Sequence, residues 1–150
     1  MPVRRLLLLS LIPMFAIAQA SPQATPLAIT FEDPGLQWGP CPAFLPAGCA
    51  IAVLQGDPSR NNADIFFKVP GKGTVPRHWH TSAERMVLVA GELHVTYDGQ
   101  DMVVLRPGTY AYGPAKMHHK AFCASDTPCV LAIAFESPVD AVASESGGEE

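Results

Sequence analysis

Between residues 49 and 135 the chain is a series of short β-type runs, each ended by glycine, proline or a turn pair. Residues 49–55 are apolar and partly β-branched, and stop at Gly56-Asp57-Pro58. Residues 64–69 stop at Pro70-Gly71-Lys72-Gly73, and the apolar run 86–90 stops at Gly91. Leu93, Val95 and Tyr97 then alternate with Glu92, His94 and Thr96. That period of two gives a strand one apolar face. Asp98-Gly99 signals a hairpin ahead of residues 101–105. Pro107-Gly108 is another turn, and residues 129–135 close the series. No segment has a long amphipathic helical period. Many short strands at near-regular spacing predict an all-β sandwich or barrel.

The flanks are of different composition. Arg4 and Arg5 precede an apolar run from Leu6 to Ala18, and Ala18-Gln19-Ala20 offers small residues where a signal peptidase reads. This pattern predicts a signal peptide over 1–20. The run is too short for a bilayer-crossing helix, which needs ~20 apolar residues. Residues 21–48 form a proline-rich arm, with one short strand expected at 27–31. Residues 49–138 form the barrel, and 139–150 are expected to be a small, acidic, disordered tail. The mature chain of about 130 residues is one ordinary domain with one modest core. Losing Arg4 and Arg5, with no acid among the first twenty residues, moves the formal charge from −4 to −6. A mildly acidic chain without a basic run argues against a nucleic-acid partner. The expected location is periplasmic or extracellular, with no membrane association after the signal is removed.

Export also bears on Cys41, Cys49, Cys123 and Cys129. An even count in an oxidising compartment suggests disulfides, and four cysteines allow three connectivities. Local pairing is the simplest. Cys41 and Cys49 bracket a loop rich in proline and glycine. Cys123 and Cys129 bracket the turn-rich string Ala-Ser-Asp-Thr-Pro, and a turn centred on Asp126 would face them across a hairpin. Four reduced cysteines packed in the core are the alternative.

The chemistry is concentrated at His78-Trp79-His80-Thr-Ser-Ala-Glu84. Two residues apart on a strand, His78 and His80 share a face, with Trp79 on the other. Glu84 opens the next strand after a short break. Two imidazoles and a carboxylate converging on one point suit a borderline divalent metal.

The stretch resembles the first cupin motif, G-x5-H-x-H-x3,4-E-x6-G, and matches it fully from His78 to Gly91. Lys72 stands at the motif's opening glycine, between Gly71 and Gly73, either of which is expected to supply the turn. The second cupin motif, G-x5-P-x-G-x2-H-x3-N, is similar to the stretch from Gly108 through Pro114 to His119 and Cys123. There Lys116 replaces the glycine and Cys123 the asparagine. The count from Pro114 selects His119 as ligand. Strand parity alone says only that one of His118 and His119 is excluded. The string Ala52-Val-Leu-Gln-Gly-Asp-Pro58 is also similar to small secreted cupins.

The resemblance covers residues 49–135. It implies a double-stranded β-helix, or jelly-roll β-barrel, of a single domain, with one metal held by His78, His80, Glu84 and His119. Fe, Mn, Ni, Cu or Zn would each suit three histidines and a glutamate. It implies a small-molecule substrate and, as leading activity, dioxygenase-type oxidation. Isomerase or lyase chemistry comes second, and Glu84 would double as a catalytic base. A metal-dependent binding or sensing module without turnover is the alternative, and a metal-free structural barrel that dimerises is a third reading.

Other residues have quieter expectations. Cys123 shares the parity of His119 and is read as a disulfide half rather than a thiolate near the metal. His94 is read as solvent-facing. Arg77, Arg85, Lys116 and Lys120 are read as surface charge rather than a rim for an anionic substrate. Trp79, Tyr110, Tyr112 and Phe122 are read as core or homodimer-interface residues. The chain has no glycine-rich phosphate loop, no Gly-x-Ser-x-Gly elbow and no paired catalytic carboxylates.

Overall fold

The computed structural model describes residues 25–145. The expected signal peptide lies outside them. Eleven strands follow in order: β1 (Trp38–Pro40), β2 (Ala50–Gln55), β3 (Ala63–Val69), β4 (Thr74–Trp79), β5 (Glu84–Ala90), β6 (Leu93–Tyr97), β7 (Val103–Leu105), β8 (Tyr110–Gly113), β9 (His119–Cys123), β10 (Cys129–Phe135) and β11 (Val142–Ala143). A six-stranded sheet runs β1-β2-β3-β10-β5-β8, and a five-stranded sheet runs β11-β4-β9-β6-β7. Every pairing is antiparallel. The two sheets enclose one core, in the jelly-roll arrangement.

Period-two alternation decides which side chains go inside. In β3, Ile65, Phe67 and Val69 face the interior core with Leu88, Leu93, Leu131 and Ile133, while Phe66 faces outward. The outward side is not left to water. Ile29, Phe31, Leu36 and Trp38 from the arm pack on Ala52, Phe66 and Val130. The strand expected at 27–31 does not form, because that stretch covers a sheet face instead of extending an edge. The strand of the arm is β1, which pairs with β2.

Both local disulfides are present, Cys41–Cys49 and Cys123–Cys129, each with Cα atoms 5.7 Å apart. The second explains Gly91. This residue has φ of 82°, and a Cβ there would sit 2.7 Å from Cys129 Sγ.

The two motif glycines replaced by lysine are reinterpreted by the backbone. Lys72 and Lys116 themselves adopt φ of 59° and 62°, so the flanking glycines do not take over the left-handed role. Lys72 is held by Asp126 and the Ala124 carbonyl. The Lys116 side chain is exposed, while its N–H donates to the His80 carbonyl at 2.8 Å. A left-handed conformation costs an ordinary residue roughly 1–2 kcal/mol, and glycine nothing. Lys116→Gly is therefore expected to stabilise the fold by about 0.5–1 kcal/mol after the added freedom of the unfolded chain is discounted. The corresponding rise in Tm, roughly 2–5 °C, is measurable by calorimetry.

The segment after β10 departs from the expected disordered tail. Val139 N–H donates to the Pro58 carbonyl, and β11 pairs with β4 through Val142↔Trp79 and Ala143↔His78. Residues 139–144 thus form a strap along one end of the barrel. Apolar Val139, Ala141 and Val142 and the exposed hydrogen-bonding edge of β4 supply the reason. Residues 146–150 lie outside the described range.

Candidate metal centre

The centre begins with a break in a strand ladder. Pro76 has no N–H to give β9, and the pairing register slips between Val75 and His78. The carbonyl of Pro76 instead accepts His78 Nδ1 at 2.7 Å. His78 pairs directly with His119, the first residue of β9, so both rings leave the same sheet on the same face. His80 follows two residues after His78, just beyond the end of β4. Glu84 opens β5 in the opposite sheet. The strands thereby bring four side chains from two sheets to one end of the cavity.

The rings of His78 and His119 have centroids 4.2 Å apart, and His80 lies 4.8 and 5.2 Å from them. One ligand atom from each of the three falls within 4.8 Å of the others. Glu84 Oε2 lies 3.4 Å from His80 Nε2 and 3.9 Å from His119 Nε2. All four residues are buried.

The hydrogen bonds set the tautomers. His78 Nδ1 meets the Pro76 carbonyl, His80 Nδ1 the Asp140 carbonyl at 2.5 Å, and His119 Nδ1 the Met117 carbonyl at 3.1 Å. A carbonyl only accepts, so each Nδ1 must carry the proton. Each neutral ring then has its lone pair on Nε2. This is how metal-binding histidines are oriented by backbone acceptors. Three such rings fit a transition metal.

Burial also sets their basicity. It pushes His78 down to about 3, helped by repulsion from His119 and His80. Burial likewise pushes His119 down to about 4. Burial raises the Glu84 carboxyl above its usual range, against the attraction of His80. The signs for stability are opposite. The depressed histidines contribute stability fully above their ordinary 6.5, and it is lost as pH falls toward 4 and 3. The raised Glu84 costs stability as pH climbs above its ordinary 4.5. The Tm of the metal-free protein should therefore fall from pH 7 to pH 5, and fall more steeply in Glu84→Gln, which lacks the opposing carboxyl. Thermal scans across that window check the order of the two slopes.

His118 is not part of the centre. Its Nδ1 pairs with Ser144 Oγ at 2.6 Å and its ring lies beside Trp79. Cys123 is fully buried in its disulfide. His94 pairs with Glu92 at the surface. Arg77 pairs with Asp98 and Arg85 with Glu136, and neither lines the cavity. Tyr110 and Tyr112 on edge strand β8, and Phe122 on β9, are exposed, so they are not core residues.

Besides Asp140, two residues at the centre have no site role legible in the sequence. Tyr97 lies 4.8 Å from the His119 ring, and its buried hydroxyl has no hydrogen-bond partner among the described residues. Gly113 makes room for it. A Cβ at Gly113 would stand 2.5 Å from that hydroxyl and 3.2 Å from Glu84 Oε2. The period of two placed Tyr97 on the apolar face, but nothing in the sequence marked its hydroxyl.

A two-sheet jelly roll with a buried three-histidine cluster at one end is a cupin-type barrel. Residues 65–135 match the Cupin domain family, and the chain carries a cupin domain. Solved structures agree on the fold. A DMSP lyase, DddQ from Ruegeria pomeroyi DSS-3, is similar at 22% identity and TM-score 0.63, over 76% of this chain and 64% of that one. An oxalate oxidase is similar at 20% identity and TM-score 0.55, over 65% of this chain and 56% of that one. An RmlC-like cupin from Shewanella frigidimarina NCIMB 400 is similar at 22% identity and TM-score 0.57, over 70% of this chain and 86% of that one. The chain thus spans less than two thirds of the lyase and of the oxidase. No curated relative matches it.

Proposed function

We propose that this chain is an exported, metal-dependent cupin that acts on a small molecule. His78, His80 and His119 would hold one divalent transition metal through Nε2, with Glu84 as the fourth ligand. The observation that carries this reading is the set of three backbone acceptors that leave every Nε2 lone pair free, on three histidines whose ligand atoms lie within 4.8 Å of one another. Three imidazoles and one carboxylate leave coordination positions for water or substrate, and Fe, Mn, Ni, Cu and Zn all accept such donors. A redox-active metal bound there would supply oxidation by dioxygen, the reaction class we put first. Among the chain's own groups, Glu84 is the proton acceptor nearest the centre, and Tyr97 a buried hydroxyl able to donate. The oxalate oxidase and the DMSP lyase among the structural relatives are enzymes, so catalysis is compatible with the barrel.

Export is supported by the basic start, the apolar run and the Ala18-Gln19-Ala20 site, and by two disulfides. Among the described residues no helix is long and apolar enough to cross a membrane.

Metal analysis of protein refolded at neutral pH with metal available tests the reading. About one equivalent is expected, and less than about a tenth of an equivalent of every transition metal would overturn it. Oxygen uptake by the iron- or manganese-loaded protein over phenols, diketones and thiols then tests the reaction class. Metal binding without turnover of any of them would point to a binding module.

A further inference from the structure

The cavity below the centre has a volume of about 140 Å³. Its polar lining consists of His78, His80, Glu84, Tyr97, His119 and Asp140. Every other lining residue is apolar, among them Ile65, Met86, Val95, Leu131 and Ile133. No lysine, arginine, serine, threonine, asparagine or glutamine side chain lines it.

Two consequences follow. The first concerns charge. The ionisable groups other than histidine and tyrosine are the acids Glu84 and Asp140. A divalent cation would balance them, whereas a dianionic substrate would add two charges with no buried cation opposite. Uncompensated charge in such surroundings is strongly unfavourable. The second concerns size and surface. Cavities of ~150 Å³ lined by leucine, isoleucine and phenylalanine hold one benzene. The polar end has one further unused group, the Tyr97 hydroxyl, which is buried and without a partner among the described residues.

We propose that the substrate is a neutral, mostly apolar molecule about the size of one six-membered ring, with a single oxygen directed to the histidine end and Tyr97. This inference deepens the metal-dependent reading and rests on it for the oxygen's destination. The apolar part of the assignment stands on the cavity walls alone. Tyr97 serves here as a positioning residue for that oxygen.

The test uses phenol, its isostere toluene, and the dianion succinate as probes, titrated into metal-free and zinc-loaded protein by calorimetry. Phenol and toluene should saturate the metal-free protein at one site, and succinate should not bind. Zinc-loaded protein should bind phenol at least tenfold more tightly than succinate. Tyr97→Phe should erase the preference of phenol over toluene without weakening toluene. Ile133→Phe, which fills the cavity, should remove phenol binding at unchanged zinc content, with near-UV circular dichroism showing that it folds. Succinate binding more tightly than phenol, or phenol binding to neither form, would overturn the assignment even where zinc loads normally. Phenol binding to a chain that takes up no zinc would support the cavity assignment and sink the metal reading instead.

Discussion

His119→Ala should lose the metal and His118→Ala should keep it, although the two residues are adjacent. His119 begins β9 opposite His78, with its ring inside the barrel and its Nε2 toward Glu84. His118 lies on the other side of the strand, against Trp79 and Ser144. Removing a group that merely orients a metal ligand costs about 10–100-fold in affinity, so removing the ligand should cost more. In competition with a chromophoric chelator, His119→Ala is expected to fall from about one equivalent of bound metal to less than a tenth, while His118→Ala stays within about twofold of the parent. Burial depresses the His119 imidazole to about 4, so the alanine removes a neutral ring and no buried charge, and near-UV circular dichroism checks that the barrel is folded. Metal retained in His119→Ala but lost in His118→Ala would assign the fourth ligand to the wrong neighbour.

The second large effect should come from the strap. A chain ending at Pro138 lacks the carbonyl of Asp140 that holds His80 Nδ1, and the Asp140 carboxylate that accepts Thr81 N–H at 2.8 Å. It also lacks the β11 pairing that covers the edge of β4. His80 would then be free to rotate or change tautomer, at a cost of about 10–100-fold in metal affinity. Val139 and Ala141 would no longer wall the cavity. Asp140→Ala should do less, because the backbone carbonyl remains. Truncation after Glu145 should do nothing measurable. Zinc affinities of the three chains, beside the parent, check that order. Equal affinity in the chain ending at Pro138 would mean that the strap does not position His80.

Much of the fold is legible in the sequence. The runs ended by glycine, proline or Asp98-Gly99 became strands, both where alternation was clear, as in β6, and where the run was apolar throughout, as in β10. Their side chains have only two faces to choose from, and burial selects one. His78, His80, Glu84 and His119 were legible for a related reason: parity and motif spacing place all four on inward faces. What stayed hidden depends on contacts between distant segments. The 27–31 stretch has β-branched and aromatic residues but covers a sheet instead of joining one. Lys72 and Lys116 read as lost turn residues, yet each takes the left-handed conformation the turn requires.

The local sequence thus indicated the main barrel strands, most of their turns and which side chains point inward, and made local pairing the simplest of three disulfide connectivities. Each of these is a matter of period, steric preference or short loop length, settled within a few neighbours. Only the tertiary structure decided that Asp140, sixty residues away, holds His80, and that residues 139–144 close over the centre instead of trailing into solvent. It also decided that His118 is spent on Ser144, and that Gly113 leaves room for a hydroxyl from Tyr97. Those facts depend on which sheets meet and at what distance. No periodicity records that, because a backbone carbonyl or a missing Cβ contributes through its position rather than its identity.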